Sequence, residues 1–321
     1  MNLSSRRRQQ IEQLEEMAGA SDLLRTKPSS QWRLTLRRFR GRKSGMIGLG
    51  IVAALMLMAI FAPIIAPYPP NDVLIGKEDI RPRDPPCVHV LGCSEEIPQH
   101  VMGVDGNVRD EFSRVIFGAR VSLTLGFFTV TIALVIGSTL GAIAGFTGGW
   151  FDNVIMRIMD VILGFPALLL AIAIVAVLGP GLRNALIAIA IVTLPQYARV
   201  MRAQVLSIKE SDYVSASRAL GATPRQLLTR RVVPNALTPL VVLATLGVAT
   251  AILEAAGLSF LGLGAQPPTA EWGSMLASER NNLFTAPHLV FFPGLAIMVT
   301  VLGFNLMGDG LRDALDPTLH G

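Results

Sequence analysis

The chain has 321 residues, of which 51% are apolar and 16% charged, and its net charge is +5. A soluble domain carries about a quarter charged residues, so this composition argues against one. The cations lie in clusters hardly interleaved with aromatic residues, which excludes the stacking surface of a single-strand nucleic-acid binder.

Residues 1–44 hold eleven Lys/Arg against four Asp/Glu, with Ile11, Leu14 and Met17 at helical spacing. They read as a basic, partly helical cytoplasmic tail whose second cluster, 37–43, rests at the headgroups of the lipid bilayer. An apolar block at 45–65 is the first transmembrane helix. It starts too far along the chain for a cleaved secretory signal, so it reads as an uncleaved signal anchor.

The 66–120 segment is Pro-rich and carries six Lys/Arg against nine Asp/Glu. Lys/Arg excess marks the cytoplasmic side of a membrane, so 66–120 is read as an extracytoplasmic loop. Cys87 and Cys93 lie there, six apart, in a setting where thiols oxidise; Pro85, Pro86 and Gly92 favour a turn, so a small disulfide loop is expected. His89 and His100 offer a metal alternative, weak without a C-x-x-C pair. The run 105–120 mixes charge with apolar residues and leads directly into span two.

Further apolar blocks follow at 121–146, 154–178, 182–198, 236–260 and 288–306, which with 45–65 makes six. Each approaches the ~20 residues that cross a hydrocarbon core of about 30 Å. Long apolar runs rather than short alternating strands indicate helices. The fold class read from the chain is therefore an all-α polytopic membrane protein with six transmembrane helices. Residues 121–310 form a five-helix core, and 311–321 a cytoplasmic tail. The glycine-rich turn around Gly148 and Gly149 makes spans two and three antiparallel neighbours. Gly179, Pro180 and Gly181 form the turn before span four, which Pro195 is expected to kink and from which Arg199 and Arg202 snorkel to the headgroups. The mixed polarity of 266–287 predicts a short helix folding back over the bundle.

The polar island 209–235 is more organised than a connection requires. Asp212 can cap a first helix, which Gly221 would end in the left-handed conformation. Thr223 and Pro224 then read as N-cap and first residue of a second helix, stopped by Pro234. Tyr213, Ala216 and Leu220 share one face by three- and four-residue spacing. A bent helix pair outside the bilayer, with an apolar stripe for a partner, results; its five Lys/Arg against two acids place it, with both termini, in the cytoplasm.

Ionisable residues inside spans are functional candidates by default. Arg157 and Asp160, in the first turns of span three, can pair with each other. Glu254, deep in span five, has no basic residue within a helical turn; it reads as a gate or subunit contact, or as packed and hydrogen-bonded, with Ser259 nearby. Gly257, Ser259 and His288 form a weak serine-hydrolase pattern, since small residues in apolar spans usually serve helix packing. No Walker A sequence occurs, so ATP-driven work falls to a partner.

The island resembles the signature that permease subunits of ATP-binding-cassette importers present to their ATPases: E-A-A, three residues, Gly, nine residues, I-x-L-P. Ser215, Ala216 and Ser217, then Gly221, then Arg231 to Pro234 occupy those places with the spacing intact. Ser215 replaces the acid, Ser217 the second alanine, Arg231 the first apolar residue and Val233 the leucine. The run around Asp105, Arg109 and Arg114, together with L-S-F-L-G-L-G-A-Q-P-P, E-W-G-x-M-L and G-D-G-L-R-D-A-L-D-P, is similar to the dipeptide/oligopeptide/nickel branch, second of its two paired permeases. Gly106, Asn107 and Val108 stand where that branch has x-x-G.

The resemblance spans about 44–318 and implies a type I importer permease fold in a bacterial inner membrane. It implies as partners a homologous second permease, two ATPases that carry ATP and Mg, and an extracytoplasmic peptide-binding protein; no cofactor is bound by this chain. It implies ATPase coupling through Asp212, Tyr213, Ser215, Ala216, Ser217, Arg218, Gly221 and Pro234. Peptides are the implied cargo, with nickel chelates or glutathione as alternatives. A secondary transporter using Glu254 as its ion site is the competing class; it would show an internal repeat or a relay of ionisable groups, and neither is visible.

Overall fold

The computed structural model describes residues 31–315, and among these the chain is helical, with extended backbone limited to isolated bridges between 75 and 110. The expected helical tail before residue 31 lies outside the described residues, as does the end of the expected C-terminal tail. Helix α1 (Gln31–Gly41) precedes α2 (Lys43–Ile60), and a one-turn helix α3 (Ala62–Ile65) follows. Helix α4 runs over Glu111–Thr147, α5 over Gly149–Leu163, α6 over Ala167–Leu178 and α7 over Leu182–Lys209. Two short helices, α8 (Asp212–Ala219) and α9 (Pro224–Leu227), lead into α10 (Val233–Phe260); α11 (Trp272–Glu279) and α12 (His288–Leu315) complete the chain.

Among the described residues, five helices are long and apolar enough to span a membrane: α2, α4, α7, α12 and the continuous 224–260 stretch. The expected single span at 154–178 is instead two helices bent by 94°, α5 and α6. Pro166 is the cause: it has no N–H to donate, and it disfavours helical geometry at Phe165 before it. The halves, 15 and 12 residues long, reach only about 22 and 18 Å. Spans two and four are longer than their apolar blocks. Helix α4 begins ten residues before 121, and α7 passes 198 without interruption to Lys209, carrying Pro195 inside it.

Helix α4 packs most extensively on α7, and the sequence explains why. Gly137, Gly141 and Gly145 recur every fourth residue, so they form one stripe. A Cβ on Gly137 would stand 2.6 Å from the Leu194 carbonyl oxygen, and one on Gly145 2.9 Å from that of Arg202. Gly141 lies against the Ala198 carbonyl in the same way. Without a hydrophobic drive between helices in lipid, such close backbone approach supplies the association energy. Gly45, Gly48, Gly303 and Gly310 do the same between α2 and α12. Exposed positions on the helices carry large apolar side chains, among them Phe127, Phe128 and Val177.

Two arginines of α7, Arg199 and Arg202, are paired with carboxylates of α5. Arg202 holds Asp152 with two bonds, Nε–Oδ1 2.5 Å and Nη2–Oδ2 2.7 Å, and Arg199 holds Asp160 at 2.6 Å. Asp160 thus pairs across to α7 rather than with Arg157, because α5 lies alongside α7 with those carboxylates facing it.

At the opposite end of the bundle, 66–110 forms an ordered cap despite its low helical content. Leu74, Val104 and Val108 make a small core of their own. Cys87 and Cys93 are joined by a disulfide. His100 is fixed by Asp110 and Glu78, and His89 Nε2 lies 2.8 Å from the Ile97 carbonyl. Asp105 accepts the N–H groups of Asn107 and Arg109 and the Arg109 guanidinium, while Asp110 caps α4 through Ser113 N–H at 2.8 Å. The turn before Arg109 puts Val108 at φ +58°. A β-branched residue is an outlier there, and this is the place where the resembled branch has glycine. Helix α11 closes over the cap: Glu271 accepts from Gly273, Ser274 and Ser122, and buried Trp272 donates to the Val115 carbonyl at 2.9 Å.

Candidate functional site

The segment 209–235 sits at the end of the bundle opposite the cap. Lys209 Nζ donates to the Gly145 carbonyl at 3.0 Å, which pins the end of α7 to the end of α4. Asp212 does not cap α8. Ser211 holds the N-cap position, but its Oγ donates back to the Ile208 carbonyl at 2.6 Å, so α8 opens uncapped with the Asp212 charge in its first turn. That charge still favours the positive end of the helix.

Leu220 ends α8, and Gly221 follows in the left-handed conformation at φ +87° with open space where a Cβ would stand. Thr223 and Gln226 then cap each other, Gln226 N–H to Thr223 Oγ1 at 3.3 Å and Thr223 N–H to Gln226 Oε1 at 3.0 Å, with Pro224 at the first helical position. The second helix does not stop at Pro234. One wide turn, Leu228–Val232, carries it into α10, and Val233 N–H bonds the Leu228 carbonyl five residues back. Pro234 falls in the first turn of α10, where its missing N–H costs least. The nearby Arg231 carbonyl accepts from Asn235 Nδ2 at 2.6 Å and from the Tyr213 hydroxyl at 3.4 Å.

Burial divides this region in two. Val214, Leu227 and Val232 are inaccessible or nearly so and belong to the main core. Tyr213, Ser215, Ala216, Arg218 and Leu220 are exposed, Leu220 at 89% of its surface. Ser217 donates to the Tyr213 carbonyl within α8. A cleft of about 310 Å³ lies between the two helices, lined by Ser217, Leu220, Gly221, Gln226, Arg230 and Arg231. The arrangement is a rigid elbow offering apolar and cationic groups outward. The buried anchors Val214, Leu227 and Val232 escaped the sequence reading because they lie off the Tyr213–Leu220 stripe; only the alternation of that stripe with single apolar residues hinted at them.

The remaining candidates are dispersed. Glu254 lines a cavity of about 140 Å³ between α4, α7, α10 and the break of α5 into α6, and its Oε2 is buried without a hydrogen-bond partner. Ser259 is buried at the far end of α10, where its Oγ accepts the Ala265 N–H at 3.1 Å and closes the loop that follows. His288 packs on Gly103 in the cap instead, so the hydrolase pattern is not assembled.

Comparison with known proteins agrees with this architecture. Residues 137–321 match the family described as the inner membrane component of binding-protein-dependent transport systems, and residues 30–86 match the N-terminal transmembrane domain of oligopeptide transport permease C. The chain is 47% identical over 290 residues to the dipeptide transport system permease protein DppC of Alkalihalophilus pseudofirmus, covering 90% of this chain and 91% of that one. It is 46% identical, with the same coverage, to the glutathione transport system permease protein GsiD of Escherichia coli O6:K15:H31. In fold it is similar to an inward-facing structure of the MetNI methionine ABC transporter, with a TM-score of 0.53 at 21% identity over 63% of this chain and 96% of that one. With its spans, its cap and its elbow at 209–235, this chain belongs to the family of inner-membrane permease components of binding-protein-dependent transport systems.

Proposed function

We propose that this chain forms half of the translocation pathway of an ATP-driven peptide importer, the other half coming from a homologous permease. Two ATPases bind the elbows of the two permeases from the cytoplasm, where both chain termini also lie, and carry the ATP and Mg. An extracytoplasmic receptor delivers the peptide to the cap end. The observation that carries this reading is the elbow itself: Val214, Leu227 and Val232 anchor it in the core while Tyr213, Ala216, Arg218 and Leu220 project from it. The similarity to permeases named for dipeptide and glutathione supports a small peptide as cargo.

The mechanism follows from rigidity. Closure of the ATPases on ATP draws the two elbows together. Because α9 continues into α10 through the wide turn at Leu228–Val232, movement of the elbow is transmitted to span five without a flexible joint. Lys209 and Arg202 tie the other side of the elbow to α4 and α5. The core helices rotate as a body and open the pathway outward, and product release resets them.

The test is ATPase activity of the co-purified complex in lipid nanodiscs, with and without its receptor loaded with a dipeptide. Stimulation by the loaded receptor, abolished by Gly221→Val, is the expected result. Absence of a co-purifying ATPase, with uptake driven by a proton gradient alone, would overturn the reading.

A further inference from the structure

Glu254 is the anomaly of the membrane interior. Its Oε2 is shielded from solvent yet accepts no hydrogen bond, and no Lys, Arg or His is among the residues lining its cavity. A carboxylate in that setting is costly, since no counter-charge among the lining residues compensates it. The surroundings are not those of simple packing. Gln196, Tyr197, Thr193 and Thr250 bring polar groups to the same cavity, and Gln196 is exposed at its edge. Thr193 donates its hydroxyl proton to the Ile189 carbonyl at 2.8 Å, so its oxygen, like those of Gln196, Tyr197 and Thr250, can accept from a guest.

The cavity also has a mouth. It lies where Pro166 turns α6 away from α5, and Phe165 stands there 57% exposed. Its volume of about 140 Å³ exceeds the ~30 Å³ share of a single water several times over. A compact cation with several N–H donors fits both the charge and the polar rim, and the apolar wall of Val130, Ile162, Leu243 and Leu246 suits the carbon beside it.

From this geometry we infer that the Glu254 cavity is a transient subsite for a primary ammonium group, occupied by the free amino terminus of a peptide in passage. The inference rests on the importer reading above. One N–H donates to Glu254 Oε2, and the others meet the oxygens of Gln196 and Tyr197. Occupancy is brief by design: a pathway site must hold its cargo weakly enough to release it. The subsite discriminates against cargo whose amino group is acylated.

The experiment is equilibrium binding of a radiolabelled dipeptide and of its N-acetyl form to the complete complex in nanodiscs, held with a non-hydrolysable ATP analogue and without receptor. The free dipeptide is expected to bind about 10-fold or more tighter than the acetylated one, the weight of one charge-assisted hydrogen bond. Glu254→Gln should bring the free dipeptide down to the acetylated level, and Glu254→Asp should keep most of the preference. Should the Gln variant fail to assemble, Gln196→Leu decides, and is expected to weaken only the free dipeptide. Equal binding of the two peptides by the unaltered complex, no detectable binding, or an undiminished preference in the variants overturns the inference. So does a cross-link placing Glu254 against a cation of the second permease. Receptor-stimulated ATPase activity persisting alongside any of these outcomes leaves the importer reading standing; its absence removes that reading too.

Discussion

Arg202 grips Asp152 with two parallel hydrogen bonds, 2.5 Å and 2.7 Å, and so clamps α7 to α5 two turns before the elbow begins. The fork of a guanidinium matches both carboxylate oxygens, which fixes orientation as well as distance. Arg202 is about one-third exposed and Asp152 less, so the pair is screened on one side only. Asp152→Asn should lower stability by about 1–2 kcal/mol, seen as a fall of a few degrees in the unfolding midpoint of the purified complex. Arg202→Lys should recover only part, because an ammonium cannot make both bonds. An unchanged midpoint for Asp152→Asn would falsify the clamp.

The α4–α7 seam makes a sharper prediction. Gly141→Ala pushes a methyl group at the Ala198 carbonyl and should cost about 1–3 kcal/mol; Gly141→Leu should block folding. Gly50, with open space around its Cβ position, is the control and should accept alanine without loss. Fluorescence-detected size exclusion of tagged variants reads this directly. Equal profiles for Gly141→Leu and Gly50→Ala would show that the seam is looser than described.

At the elbow, the demand of Gly221 is for backbone conformation and not for space. A side chain at φ +87° pays about 1–2 kcal/mol unless it is asparagine. Gly221→Asn should therefore retain most transport and Gly221→Val little, although neither meets a neighbour. If the two variants behave alike in a peptide-uptake assay, something other than the left-handed turn matters there.

His100 gives the cap a pH dependence whose sign can be stated. The ring is buried, which works against its cation, but bonds to Asp110 at 2.8 Å and Glu78 at 3.1 Å outweigh this and raise its pKa above 6.5. Tyr68 stacks on the ring and donates to Glu78 at 2.8 Å; burial, then that bond to Glu78, pushes its own pKa up to about 12. A raised histidine pKa means stability that is full below about 6.5 and declines as pH climbs through the folded value. Protection of the cap against hydrogen exchange, corrected for the intrinsic base-catalysed rate, should fall as pH rises above about 6.5, while His100→Gln should be less protected at pH 6 and flatter across the range. Parallel slopes for the two proteins would assign the dependence elsewhere.

The disulfide closes a short loop, so its loss is expected to cost about 2 kcal/mol at most, felt locally. Cys87→Ser with Cys93→Ser should raise hydrogen exchange around 87–100 and leave the elbow unaffected. A change at 209–235 on the same exchange map would contradict the independence of the two ends.

Much of this architecture was legible in one dimension because lipid imposes a one-dimensional rule: a spanning segment must satisfy its own backbone, so length and apolarity identify it. The left-handed Gly221, the Thr223 cap and the fold-back helix at Trp272 were equally local, each depending on a few neighbouring residues. Charge bias along the chain pointed the same way.

What the residues could not announce were relations between helices. Nothing near Asp160 says that it meets Arg199 rather than Arg157; that follows from how α5 lies on α7. Pro166 and Pro234 look alike as breakers, yet one bends a span by 94° and the other is absorbed by a wide turn into a continuous helix. The difference lies in the neighbouring turn, where Val233 N–H bonds the Leu228 carbonyl five residues back and Pro234 falls in the first turn of α10. Composition and spacing thus determined five of the spans and the elbow of this protein, while its family was legible through the resemblance of its motifs. Tertiary packing alone decided which charges pair, and left the Glu254 carboxylate facing a cavity, because burial and electrostatic partners depend on residues distant in the chain and close only once the helices have assembled.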